Sequence, residues 1–221
     1  MRLSENGRKW IEKLEWPVFV MLLTLLAATL LFKVYLFHPN DYSYSFGGDA
    51  FTIYYDMVYH VTYDHGTTFH GMNYPYGEYI FLTDAQGAVS TVLQWINHHL
   101  FSVADYVPGI MHSLSLYLLP VCSLFLFLIL RYFNVRPWIA SIFAVLITFL
   151  SPQMQRFGGH FGLAYPFLIP MAMWWVLRKY QHPRFEKRDL LIFLTLTFFT
   201  FNNPYIGFTA SGFLLCAGLI I

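Results

Sequence analysis

HPNDYSYSFGGDAFTIYYDMVYHVTYDHGTTFHGMNYPYGEYIFLTDAQGAVSTVLQWINHHLFSVADYVP, residues His38 to Pro108, contains no lysine or arginine, yet it holds seven of the twelve acidic residues and six of the nine histidines. On either side lie the apolar runs Pro17–Phe37 and Gly109–Leu130, each about the 20 residues that cross a bilayer as a helix. An acidic segment between two such runs belongs on the side of the membrane away from the basic connections. The frame that follows has residues 1–16 as a cytoplasmic N-terminus, 17–37 as the first span, 38–108 as a large outer loop and 109–221 as the rest of a membrane domain.

The other charges agree with this frame. Arg2, Arg8, Lys9 and Lys13 precede the first span, Arg131 and Arg136 follow the second, and Arg178, Lys179, Arg184, Lys187 and Arg188 follow a further pair. Every second connection is therefore basic, which places the N-terminus in the cytoplasm and the first large loop outside. Later spans are expected at Trp138–Leu150, Gly162–Leu177, Leu190–Phe201 and Tyr205–Ile221, giving an all-α, polytopic protein of about six transmembrane helices. Pro120, Pro166 and Pro170 are expected to bend helices, because each lacks the N–H a helix interior needs. The composition is 57% hydrophobic and 11% charged with a net charge of +1, and the mean hydropathy is +0.50. A balance so near neutral offers nothing to a nucleic acid. The first run is too long for a cleaved signal and reads as an anchor. The chain ends at Ile221 inside an apolar run, which reads as truncation within the membrane domain.

Within the loop, residues 49–64 carry helical periodicity. Phe51, Tyr54, Tyr55, Val58, Tyr59 and Thr62 make one stripe, while Asp49, Asp56, His60 and Asp64 fall on the opposite side. The expectation is an amphipathic helix lying in the membrane surface, aromatic side down and carboxylates toward water. Asp56, His60 and Asp64, spaced i, i+4, i+8, are candidate ligands for a divalent metal ion, or else a solvated polar face. Asp49 follows Gly47 and Gly48 where the chain turns into this helix. It reads either as an N-cap or as a base close to the membrane, with the glycines permitting close approach of a ligand.

Two further segments carry chemistry. NYPYGE, Asn73 to Glu78, is a turn with two tyrosine faces on which a sugar can stack and a carboxylate for its hydroxyls. Glu78 and Asp84 are candidate sugar contacts, Asp84 being alternatively the cap of a helix running from about Ala85 to Leu100. QRFGGHFG, Gln155 to Gly162, holds Arg156 and His160 beside two glycines. Arginine grips phosphate oxygens bidentately and the imidazole can donate alongside it, so these two are candidates for a phosphate clamp. The alternative is an arginine at the lipid headgroups and a histidine satisfied by a carbonyl.

The stretch Gly47 to Gln86, GGDAFTIYYDMVYHVTYDHGTTFHGMNYPYGEYIFLTDAQ, resembles the first loop of a group of bacterial membrane proteins, many from Bacteroidetes, placed near the GT-C glycosyltransferases. The likeness covers about the N-terminal 170 residues. It implies a multi-pass protein of the bacterial inner membrane with the loop in the periplasm. Its partners would be a polyprenyl-phosphate sugar donor, the bilayer, and a glycan, lipid or protein acceptor. In that family an early loop aspartate is the general base or helps to ligate a metal, and Asp49 is the matching position. The competing class is a non-catalytic protein, either a lipid-carrier transporter or a polysaccharide-binding assembly partner.

Overall fold

The computed structural model describes residues 5–45 and 47–220, with side chains over 14–45 and 47–218. Arg2, the side chains of Arg8, Lys9 and Lys13, and Ile221, on which the orientation and chain-end expectations lean, lie outside the described residues. The elements, in order, are α1 (Glu5–Phe37), α2 (Asp49–Tyr63), β1 (Thr68–Phe69), β2 (Glu78–Tyr79), α3 (Gly87–His99), α4 (Val107–Tyr117), α5 (Leu119–Tyr132), α6 (Pro137–Leu150), α7 (Leu168–Gln181), α8 (Lys187–Asn202) and α9 (Pro204–Ile220). Short 3-10 turns cover Ile80–Leu82, Ala104–Tyr106, Pro152–Gly158 and Phe161–Leu163. The protein is predominantly helical; the strands among the described residues are one antiparallel hairpin, with Thr68 opposite Tyr79 and Phe69 opposite Glu78.

Among the described residues, four segments are long and apolar enough to cross a membrane: Leu14–Phe37, Ala104–Tyr132, Pro137–Gly158 and Phe161–Gln181. The two further spans expected from sequence correspond to α8 and α9, apolar helices of 16 and 17 residues. At 1.5 Å per residue these reach about 24–26 Å, short of the roughly 30 Å hydrocarbon layer. The second apolar run is two helices, α4 and α5, meeting at Leu118 just before Pro120. Pro166 lies ahead of α7 and Pro170 in its first turn, where no intrahelical partner awaits an N–H, so neither interrupts a helix.

The faces of α1 show how the bundle meets its surroundings. Leu14, Val18, Leu22, Leu26 and Leu30, four residues apart, are exposed. Val20, Thr24 and Ala28 on another face are wholly buried. Val20 packs with Phe127, Ala140 and Ala144, and Ala28 with Leu116 and Leu119. Between them Thr24 Oγ1 lies 2.6 Å from Ser123 Oγ of α5, a polar clasp within an apolar contact. A continuous leucine stripe without protein cover suits lipid tails, which solvate it as a protein core would.

The segment between α1 and α4 folds as a cap. Ala50, Ile53, Met57 and Val61 of α2 recur at helical spacing and bury against Val89 and Leu93 of α3, Val103 ahead of α4, Val107 and Met111 of α4, and Phe161. This differs from the expected orientation of α2. Asp56, His60 and Asp64 are buried rather than turned to water, while Phe51, Tyr55 and Tyr63 are exposed. The compact aliphatic residues, omitted from the aromatic stripe, fill the interface with α3 and α4. His60 and Asp64 are tolerated there because they meet each other and His60 meets the buried Gln94.

Candidate functional site

α2 enters through Gly48, whose φ of 56° and ψ of −137° suit a residue without a side chain. Gly48 is the N-cap, so Asp49 is the first helical residue and makes no capping hydrogen bond. Its carboxylate sits where the helix dipole favours negative charge. Asp49 and Asp56, two turns apart, line one wall of a cavity of about 220 Å³. Glu78 of β2, Met72, Thr83 and Asp84 line the other, with Thr52 and Ile53 between.

His160, 76 residues beyond Asp84 in sequence, joins the two walls. Its Nδ1 lies 3.4 Å from Asp84 Oδ2 and its Nε2 lies 3.4 Å from Asp49 Oδ2. A neutral imidazole can donate to only one of these carboxylates and a protonated one to both. The geometry that brings it there runs through Gln86. That residue is left-handed, with φ 51° and ψ 59°, and α3 starts after it at Gly87 without a side-chain cap. Gln86 Oε1 accepts a hydrogen bond of 2.5 Å from the buried Tyr165 hydroxyl. The clasp holds the Asp84 loop against the segment carrying His160. Asp84 therefore does not cap a helix beginning at Ala85, and His160 is engaged by carboxylates rather than by a carbonyl.

Asp56 is 3% exposed and its Oδ1 has no hydrogen-bond partner among the described residues. Burial, then the negative charges of Glu78 and Asp84, push its carboxyl up from 3.8 to about 6. Asp49 is 68% exposed in its side chain and lies at the open edge. The two carboxyls of one helix thus meet different surroundings across a single cavity, one wet and one dry.

The remaining sequence candidates divide. Glu78 takes a hydrogen bond from Asn73 Nδ2 at the cavity wall. Tyr74 and Tyr76 are 92% and 88% exposed and are not part of the lining, so they do not form stacking faces over it. The chain turns back just after them through Gly77, at φ 70°, where a Cβ would meet the Phe69 carbonyl oxygen at 2.8 Å. Arg156 is exposed on the Pro152–Gly158 turn, without an ion pair among the described residues, four positions before His160.

The Asp56, His60 and Asp64 trio does not converge as a metal site. Asp56 faces the cavity, whereas His60 Nδ1 lies 3.3 Å from Asp64 Oδ2 and His60 Nε2 lies 3.3 Å from Gln94 Nε2. Asp64 Oδ1 is also 2.8 Å from His70 Nδ1. No group of three or more histidine, cysteine, aspartate or glutamate side chains among the described residues comes together to hold a metal ion. With its Nε2 facing an amide N–H, His60 is a neutral imidazole carrying its proton on Nδ1. Burial, opposed by Asp64, holds its pKa below the ordinary histidine value. Thr52, Thr83, the Gln86–Tyr165 clasp and the buried His112 were not singled out from sequence. Only His112 left a signal, as an ionisable residue inside an apolar span.

These observations define the class: a helical membrane protein whose longest inter-span segment folds into a cap, with an acidic cavity bridged by a histidine from the third connection. The chain belongs to the DUF6311 family, a domain of unknown function, which it matches over residues 21–220. No curated protein and no solved structure matches it.

Proposed function

We propose that the protein is a membrane glycosyltransferase of GT-C type, moving a sugar from a polyprenyl-phosphate donor to an acceptor at the periplasmic face of the bacterial inner membrane. The observation that carries the reading is the cavity itself, where Asp49 at the open edge is joined through His160 to Asp84. Asp49 takes the proton from the acceptor hydroxyl as that oxygen attacks the anomeric carbon. The bond from that carbon to the phosphate oxygen breaks, and its electron pair leaves with polyprenyl phosphate. The phosphate is already a competent leaving group, so the site needs a positioned base and positive or hydrogen-bonding groups for the phosphate oxygens. Arg156 serves that second role from the turn that leads into His160.

A family resemblance supplies the reaction class here, and a fold alone does not specify chemistry. The deciding experiment incubates the protein in nanodiscs with radiolabelled polyprenyl-phosphate hexoses or pentoses and lipid extract as acceptor. Wild type should transfer label and Asp49→Asn should lose on the order of 10²-fold or more, the range of a missing general base. Transfer that survives Asp49→Asn unchanged sinks Asp49 as the base. Absence of transfer by wild type favours the binding or carrier-transport class.

A further inference from the structure

Asp56 is the group of the cavity with the least explanation in the fold. It lies on the buried side of α2 with Ile53 and Met57, and it faces the cavity. It lines the cavity, it is 3% exposed, and its Oδ1 is without a partner among the described residues. A buried carboxyl oxygen left unpaired carries a desolvation cost that no hydrogen bond among the described residues returns, so Asp56 is not there for the stability of the fold.

The surroundings indicate what it is there for. Glu78 and Asp84 face Asp56 across the cavity, Asp49 shares its wall, and no lysine or arginine is among the lining residues. The ligand group must therefore donate hydrogen bonds. A metal ion needs convergent ligands, and the described side chains do not converge on one. Thr52 and Thr83 add hydroxyls to the wall, while Ile53 and Met72 add an apolar face. Acidic acceptors, hydroxyls and a small apolar surface together fit a sugar ring, which is polar at its hydroxyls and apolar across its C–H face. About 220 Å³ lies below the roughly 300 Å³ at which pockets for drug-sized ligands begin. That space is on the scale of a single sugar ring.

We infer that Asp56 is the anchor of a monosaccharide-sized subsite, its carboxyl accepting a hydrogen bond from a ring hydroxyl of the bound sugar unit. The inference deepens the transferase reading and rests on it for the choice of a sugar among hydroxyl-bearing ligands. Asp56 binds and orients the ring, and Asp49 at the open edge meets the reacting oxygen. Burial of its other contacts fixes the Asp56 carboxyl on a helix, so the ring hydroxyl finds an acceptor already oriented.

The test is saturation-transfer NMR on the protein in nanodiscs with methyl glucoside, methyl galactoside and methyl mannoside as probes. Wild type should bind at least one of the three, and Asp56→Ala should weaken that binding at least tenfold. Asp56→Asn, equal in size and neutral, guards against loss through misfolding and should also weaken binding, with a melting temperature at pH 6 no lower than that of wild type. Binding unchanged in both variants, or binding of none of the three probes by wild type, overturns the assignment. Sugar transfer is measured separately on the same samples. Glycoside binding without transfer leaves the subsite standing and removes the transferase, and transfer without Asp56-dependent binding does the reverse.

Discussion

His160 Nδ1 lies 3.4 Å from Asp84 Oδ2, and the other nitrogen of the same ring lies 3.4 Å from Asp49 Oδ2. Two carboxylates from different parts of the cap are thereby held by one imidazole from the connection between the Pro137–Gly158 and Phe161–Gln181 spans. His160→Ala removes the link and leaves the carboxylates to repel each other across the cavity. Transfer should fall by about tenfold to 10²-fold, the cost of lost positioning. His160→Gln, which can still donate to one carboxylate, should retain more activity than His160→Ala. Equal loss in the two variants would show that the link to the carboxylates is not what matters.

Asp56 makes stability depend on pH in an unusual direction. A carboxyl held near 6 in the folded protein, against 3.8 ordinarily, keeps its proton while the unfolded chain releases it. Below about 4 both states are protonated and the burial adds no penalty. Between about 4 and 6 stability falls as pH rises, and above 6 the full cost is present, on the order of 3 kcal/mol. Melting temperature followed from pH 4 to 8 should show this decline, and Asp56→Asn should flatten it while raising the melting temperature at pH 8. A decline of the same size in Asp56→Asn would assign the effect to other groups.

The helical membrane framework was legible because apolar runs of about 20 residues and the spacing of basic residues are long-range patterns in the chain, robust to detail. The orientation of α2 was not. Its aromatic residues outweigh Ala50, Ile53, Met57 and Val61 in bulk, so the stripe that packs was masked by one that is amphipathic and stays at the surface. That a helix carries Asp56 and His60 and ends at Asp64 was legible from the spacing. Which neighbour each would meet was not, because Glu78, Gln94 and His70 arrive from other elements. Asp49, Asp84 and His160 were each singled out for separate reasons. Their meeting depends on the Gln86–Tyr165 clasp, a contact across 79 positions that no local pattern announces.

His60 imposes the opposite pH dependence. It is neutral and buried, its Nε2 accepting from Gln94 Nε2 while Gln94 Oε1 accepts from Gly66 N at 3.0 Å. Protonation would set two donors against each other, and turning the Gln94 amide to relieve this would break the bond to Gly66. The folded pKa lies below the ordinary 6.5, so stability is lost as pH falls through 6.5 toward the folded value, when the unfolded chain takes up the proton first. Melting scans of Gln94→Glu, which supplies a charged acceptor to His60, should show a smaller loss between pH 7 and 5 than wild type. A loss as large as in wild type would remove His60 as the cause.

His112 ties three parts of the chain together, and its role is structural. Its Nδ1 lies 2.7 Å from the Pro39 carbonyl oxygen just after α1, and its Nε2 meets the Tyr54 hydroxyl of α2. The Tyr44 ring packs edge-on against it with centroids 4.3 Å apart. The residue is wholly buried in α4, so His112→Ala opens a cavity and strands both polar partners. The expected cost is about 2–4 kcal/mol, against about 1–2 kcal/mol for Tyr54→Phe, which takes the hydroxyl from His112 Nε2 and from the Tyr44 N–H but opens no cavity. Because His112 and Tyr54 are absent from the acidic cavity's lining, transfer per folded molecule should change little. Thermal unfolding in detergent and activity normalised to folded protein separate the two effects. A His112→Ala protein that melts like wild type would show that the cap is held to the bundle by the apolar contacts of Ile53, Met57 and Met111 alone.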